Sequence, residues 1–188
     1  MSIETPKYTI LKSSGRIELR RYEEYITASI QITAHNYDSA TNKAFRVLAD
    51  YIFGNNTKDS KISMTAPVIS KKISTSEKIA MTAPVTATKR DIQTYLISFT
   101  MPSSFSMEEL PRPNNSLVTL KAVSSHKEVV ITFSGYTTDI AIAKMTKELQ
   151  VWATENHIHY VGEPTVSRYD PPWKPGFFRR NEISFAIQ

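Results

Sequence analysis

One octapeptide occurs twice in this chain. Lys61-Ile62-Ser63-Met64-Thr65-Ala66-Pro67-Val68 returns seventeen residues later as Lys78-Ile79-Ala80-Met81-Thr82-Ala83-Pro84-Val85, with seven of eight positions identical. Each copy sets a proline inside a strand-like run. The alanine before it is pushed to extended backbone, and proline, lacking an N–H, belongs on an edge strand or at a bulge. The duplication therefore predicts two equivalent edges of a curved sheet, with Met64 and Met81 filling irregular core space. Two copies at this spacing are too few and too close together for a solenoid.

The 188 residues suffice for one domain, assigned to 1–188, and a substantial core. Cysteine is absent. Disulfides, thiolate metal sites and cysteine nucleophiles are thereby excluded, in keeping with a reducing compartment. Met1 to Ser14 contain no apolar run of the signal-peptide kind, so the expected address is cytoplasmic, and no stretch is long and apolar enough to predict a membrane span. The sequons at Asn55 and Asn114 are idle without secretion. A net charge of +5 attracts anions in general. The basic residues are scattered pairs such as Arg20-Arg21, Lys71-Lys72 and Arg179-Arg180, with no basic helical stripe, so no nucleic-acid partner is expected.

Runs rich in β-branched and aromatic residues predict strands at Tyr8–Lys12, Ile17–Tyr22 and Ile26–Ile32, with Ser13-Ser14-Gly15 as the first turn. Ile17, Leu19 and Arg21 alternate with Glu18, Arg20 and Tyr22, the pattern of a half-solvated antiparallel strand. A helix follows, capped by Asp38 or Ser39 and ending near Phe53 before Gly54. On its wheel Ala44, Val47, Leu48 and Tyr51 form the core face. Phe45, Ala49 and Phe53 lie on the flank with Asn42, while Lys43, Arg46 and Asp50 point outward. The apolar arc is wider than packing on a sheet requires. Either a neighbouring loop covers it or it walls a groove for a flat apolar ligand.

Further strands are expected at Tyr95–Met101, Val118–Val123, Val129–Phe133, Val166–Tyr169 and Glu182–Ile187, the second and third as a hairpin around Ser124-Ser125-His126. A second helix follows Thr138, with Ile142, Met145, Leu149, Trp152 and Asn156 at helical spacing. Strands, helix, strands, repeated, predict an α+β fold: a distorted, mostly antiparallel β-barrel built from two pseudo-symmetric halves, each carrying one long helix.

Catalytic signatures are missing. There is no G-x-S-x-G, H-E-x-x-H or G-x-x-x-x-G-K, and Glu108-Glu109 are adjacent, which neither helix nor strand places on one face. His157 and His159 share a face if their segment is extended, but no third metal ligand stands nearby. No catalytic residue and no metal site is assigned, and a non-enzymatic role is expected.

The doubled Met-Thr-Ala-Pro-Val, the Ile97-Ser98-Phe99-Thr100-Met101-Pro102 strand, the Phe133-Ser134-Gly135-Tyr136 turn and the C-terminal Tyr169-Asp170-Pro171-Pro172-Trp173-Lys174-Pro175 followed by Arg179-Arg180-Asn181-Glu182-Ile183 resemble the SOUL haem-binding protein family. The resemblance runs from about Tyr8 to Ile187. It implies non-covalent binding of haem or a related porphyrin, as a carrier or buffer, in a shallow apolar groove beside the first helix. Carried onto this sequence, it implies Asn42, Phe45 and Ala49 on the helix and Tyr169 and Lys174 near the C-terminus. His35, between the third strand and the first helix at the mouth of that groove, is the candidate axial iron ligand; an exposed loop histidine is the plainer reading. The same two-half barrel also resembles the effector-binding domains of bacterial transcription regulators, which implies an alternative: a small-molecule sensor or protein-interaction module without physiological haem.

Overall fold

The computed structural model describes residues 4–58, 60–73, 93–171 and 173–188. Among them the chain forms nine strands and two α-helices: β1 Tyr8–Ser14, β2 Ile17–Tyr22, β3 Tyr25–Ala34, α1 Tyr37–Ile52, β4 Val68–Ile73, β5 Gln93–Thr100, β6 Thr119–Val123, β7 His126–Phe133, α2 Asp139–Glu155, β8 Tyr160–Arg168 and β9 Asn181–Ile187. All ladders are antiparallel, and the strands form one sheet in the order β1-β2-β7-β9-β8-β4-β5-β3-β6. The class is α+β.

The connectivity is doubled. The run β3-α1-β4-β5 places its strands in the order β4-β5-β3, and the run β7-α2-β8-β9 repeats it as β8-β9-β7. The two runs meet where β4 pairs with β8. Each helix lies on its own three strands and encloses its own core. Leu48, Tyr51 and Ile52 of α1 pack with Ile30, Ile97 and Phe99, whereas Met145 and Leu149 of α2 pack with Ile131, Ile183 and Phe185. Tyr37, at the start of α1, touches both cores.

Two expectations about the sheet fail. Val118–Val123 and Val129–Phe133 do not form a hairpin: β6 pairs with β3, and β7 with β2 and β9. Ser124-Ser125 contains neither Gly nor Asn, the residues that supply the positive φ of tight hairpin turns. Instead the register of Tyr22 opposite His126 continues as Tyr25 opposite Val123, so β2–β3 and β6–β7 run as two long companions bent at Glu23-Glu24 and Ser124-Ser125. The sheet is also not closed into a barrel, because β1 and β6 are its two end strands.

The duplicated peptide is described only in its first copy; Lys78–Val85 lies outside the described residues. The Ala66–Pro67 bond is cis and Pro67 immediately precedes β4, so the missing N–H removes nothing from a ladder. That strand is internal, paired with both β5 and β8, and not an edge. Met64 is exposed rather than packed in the core.

Helix α1 is capped two to three residues earlier than expected. Asn36 is the N-cap, its side-chain oxygen accepting from Ser39 N at 2.8 Å, while Gly54 at φ +126° lies past the C-cap Phe53. Asn36→Ala is expected to lower stability by about 1 kcal/mol in a urea titration, and Asn36→Asp to restore it.

Candidate functional site

Helix α1 turns its buried arc, Ala40, Thr41, Ala44, Leu48, Tyr51 and Ile52, to the sheet, and Thr41 Oγ1 lies 3.0 Å from Ser70 Oγ. Residues spaced by four share a side of a helix. Phe45, Ala49 and Phe53 are so spaced, and they form a stripe along the rim of that arc. Phe45 is 37 % exposed and stands edge-on to Phe99 with centroids 5.4 Å apart; Phe53 is 60 % exposed. Ala49 is buried between them in sequence, and Asn42 is fully on the outside. Asn42, Phe45 and Ala49 therefore fall on one flank of the helix, the first two exposed and the third buried. Asp50 is held by Asn55 Nδ2 at 2.5 Å, next to the helix end.

Tyr169 lies on the opposite face of the sheet from that flank. Along β9, Ile183 and Phe185 face α2 while Glu182 and Ser184 face the other side of the sheet. Tyr169 donates its hydroxyl to Glu182 Oε2 at 2.6 Å and so belongs to that other side. Burial first, and the Glu182 carboxylate second, push its phenol well above the ordinary value. Lys174 Nζ lies 2.5 Å from Asp170 Oδ1, an exposed-edge pair four residues apart.

The strand expected to be half-solvated turns out otherwise. Arg20 is 1 % exposed and Glu182 2 %, joined by two bonds of 3.0 and 3.1 Å in the parallel fork that a guanidinium and a carboxylate favour. Arg180 reaches the same carboxylate at 2.7 Å, and Arg20 also holds Glu18 at 2.7 Å and Tyr22 Oη at 3.1 Å. Burial alone would raise the Glu182 carboxyl, but the bonds and charge of Arg20, with Tyr169 and Arg180, outweigh it and hold the group below the ordinary carboxylate range. Ser29, Ser98, Thr27 and Thr100 continue this polar side of the sheet and are likewise buried. Strand alternation alone assigns such residues to solvent. The signal that could have moved them inward is chemical: oppositely charged Arg20 and Glu182 on strands that both pair with β7.

His35 is exposed, one residue before the α1 cap. His157 has φ +56° just beyond the C-cap of α2, so its segment is not extended and the shared face with His159 does not form. Among the described residues, no group of three or more His, Asp or Glu is placed to hold a metal ion. No helix among them is long and apolar enough to cross a membrane.

Comparison with known proteins bears on this arrangement. The model of the SOUL heme-binding protein family matches residues 3–186. Heme-binding protein 1 of Xenopus tropicalis is 24 % identical over 175 residues, covering 93 % of this chain and 85 % of its own. Heme-binding protein 2 of Homo sapiens is 36 % identical over 73 residues, a match spanning 37 % of this chain and about a third (36 %) of the human protein. Among solved structures, the EcmrR C-terminal domain superposes with a TM-score of 0.64 at 14 % identity, over 96 % of this chain and 98 % of that one; at that identity the likeness shows a shared fold. With a family model matched over nearly its whole length, this chain belongs to the SOUL heme-binding protein family.

Proposed function

We propose that this protein binds haem or a related porphyrin non-covalently, as a carrier or buffer in the cytoplasm and not as an enzyme, on the flank of α1. The observation that carries the reading is the stripe of Phe45 and Phe53, two large apolar rings left exposed about two turns apart with the buried Ala49 on the turn between them. Membership in a haem-binding family and the names of the relatives support it. A porphyrin offers two broad apolar faces and two carboxylates on one edge. Burying about 300 Å² of one face contributes on the order of 7 kcal/mol before the cost of association, at ~25 cal/mol per Å². Asn42, Phe45 and Ala49 supply the contact, and the outward Lys43 and Arg46 are near enough along the helix to pair with propionates. Such exposed pairs orient the ligand and add roughly 0–1 kcal/mol each. Tyr169 is fixed on Glu182 on the other face of the sheet, and Lys174 is paired with Asp170.

Hemin titration of the purified chain, followed by Soret absorbance, tests the reading. One-to-one saturation is expected, with Phe45→Asp weakening affinity at least tenfold (~1.4 kcal/mol) because it sets a charge against the apolar macrocycle. Unchanged affinity would remove the α1 flank from the site. His35→Ala shifts the Soret band if His35 ligates iron; an unaltered band removes it. The second reading, a small-molecule sensor or protein-interaction module without physiological haem, draws on the fold shared with the EcmrR C-terminal domain.

A further inference from the structure

The chain passes between the β2/β7 ladder and the β3/β6 ladder twice, through Glu23-Glu24 and through Ser124-Ser125. Strand β7 belongs to one half of the fold and β3 to the other, so this bend is a joint between the halves. His126, the first residue of β7, sits in it. Its ring is stacked on Tyr22 of β2 at 16° with centroids 5.4 Å apart, and lies tilted against Tyr25 of β3 at 5.9 Å. Ser125 Oγ donates to Tyr22 O at 2.8 Å on the same spot. Both ring nitrogens meet oxygen. Nδ1 lies 2.8 Å from the Ser124 carbonyl oxygen, and Nε2 lies 3.3 Å from Glu128 Oε1. A carbonyl and a carboxylate only accept, and a neutral imidazole has a single N–H. Either neutral tautomer therefore sets a ring lone pair against an oxygen. Only the imidazolium donates to both.

The surrounding charges point the same way. The register sets Tyr22 opposite His126 and Arg20 opposite Glu128, so all four share the face that carries the Arg20–Glu182 pair. The bonded set on that face holds three carboxylates, Glu18, Glu128 and Glu182, against two guanidiniums, Arg20 and Arg180. The imidazolium is the third cation. Tyr22 and Tyr25 meet the ring as phenols that burial first, and Glu128 second, hold above their ordinary value. Tyr8 of β1 packs on Tyr22, Lys121 of β6 shares the face two residues along from the partner of Tyr25, and Glu23 and Glu24 are exposed at the bend. We propose that His126 is a proton-operated clamp on the joint between the halves: as the imidazolium it ties the Ser124 link to Glu128 and braces Tyr22 and Tyr25, and on losing its proton it loosens the bend. The hydrogen bond to Glu128 raises the imidazole above its ordinary value, against burial, with Ser124 adding to the rise. The clamp is therefore fully closed below about pH 6.5, the unfolded value, and is lost as pH rises through the higher folded one. It rests on no part of the haem reading.

The test is made on the full chain without hemin. Long-range ¹H–¹⁵N NMR reads the protonation of each ring nitrogen, and His126 is expected to carry both protons at pH 6 and to titrate above the ordinary value of about 6.5. Glu128→Gln removes the charge and keeps the shape, so the His126 midpoint should fall. Backbone hydrogen exchange, corrected for its intrinsic pH dependence and referred to α2, reads the bend itself. Protection at residues 22–25 and 123–126 should drop about threefold or more between pH 6 and pH 8.5 in the wild type. In Glu128→Gln the drop should move to lower pH together with the ring titration. His126→Phe keeps a ring between Tyr22 and Tyr25 but cannot titrate, so its protection should stay level over the same range. A His126 midpoint at or below the ordinary value, a single ring N–H at pH 6, level protection in the wild type, or an equal drop in His126→Phe would overturn the proposal.

Discussion

Glu182→Leu is expected to cost the fold about 3–5 kcal/mol, since removing one member of a buried ion pair strands the other. The carboxylate receives Arg20 through two bonds, Arg180 through its guanidinium and the Tyr169 hydroxyl at 2.6 Å. Arg20, 1 % exposed, would keep the Glu18 carboxylate, Tyr22 Oη and the face of the Tyr8 ring, whose centre is 4.3 Å from the guanidinium carbon, but lose its paired carboxylate. Urea unfolding reads the loss directly. Converting both Arg20→Met and Glu182→Leu should recover part of it, because the paired charges also carry a desolvation cost. The pH dependence has a definite sign. The Glu182 carboxyl sits below its ordinary range when folded, so its contribution is present above the unfolded pKa and is lost as pH falls through the folded one. Wild type minus Glu182→Leu should therefore shrink steadily as urea midpoints are followed from pH 6 towards pH 3. A constant difference would mean that the pair is not what stabilises this side of the sheet.

Leu48→Ala is the second large effect, about 2–5 kcal/mol. The side chain is fully buried between α1 and the strands beneath it, in the cluster containing Ile30, Ile97 and Phe99. Its significance is the contrast with Phe45→Asp. On the proposed reading Leu48 holds the helix and Phe45 would contact the porphyrin, so the first change should lower the unfolding free energy while the folded fraction keeps its hemin affinity. The second should mainly lower hemin affinity, with a smaller loss of stability from its contact with Phe99, because Phe45 is already 37 % exposed. If both substitutions moved both quantities together, α1 would be a structural helix and nothing more.

Much of the frame was legible in the residues. Helical spacing located α2 with its Thr138 cap and Ile142, Met145 and Leu149 inside, and the end of α1 at Gly54. What failed had physical causes. Val118–Val123 and Val129–Phe133 read as a hairpin around Ser124-Ser125-His126, yet that link holds neither Gly nor Asn, and the long register of β2–β3 against β6–β7 cannot be seen locally. Strand alternation sent Arg20 and Tyr22 to solvent because periodicity distinguishes two faces without saying that both are covered. The cap fell on Asn36 when Asp38 and Ser39 offered equally good side chains, and only the backbone decides among them. At the candidate site, the wheel grouped Phe45, Ala49, Phe53 and Asn42 correctly on one flank of α1. It could not show that Ala49 is covered, or that Tyr169 spends its hydroxyl on Glu182.

The most direct measurement is to locate bound haem by paramagnetic broadening of backbone amide signals, with ferric protoporphyrin IX against diamagnetic zinc protoporphyrin as the reference. The α1 account predicts that Asn42, Phe45, Ala49 and Phe53 lose intensity first, and that residues 169–180 and the Met101–Met107 loop retain theirs. Broadening centred on the C-terminal segment, or spread evenly over the surface, would contradict it.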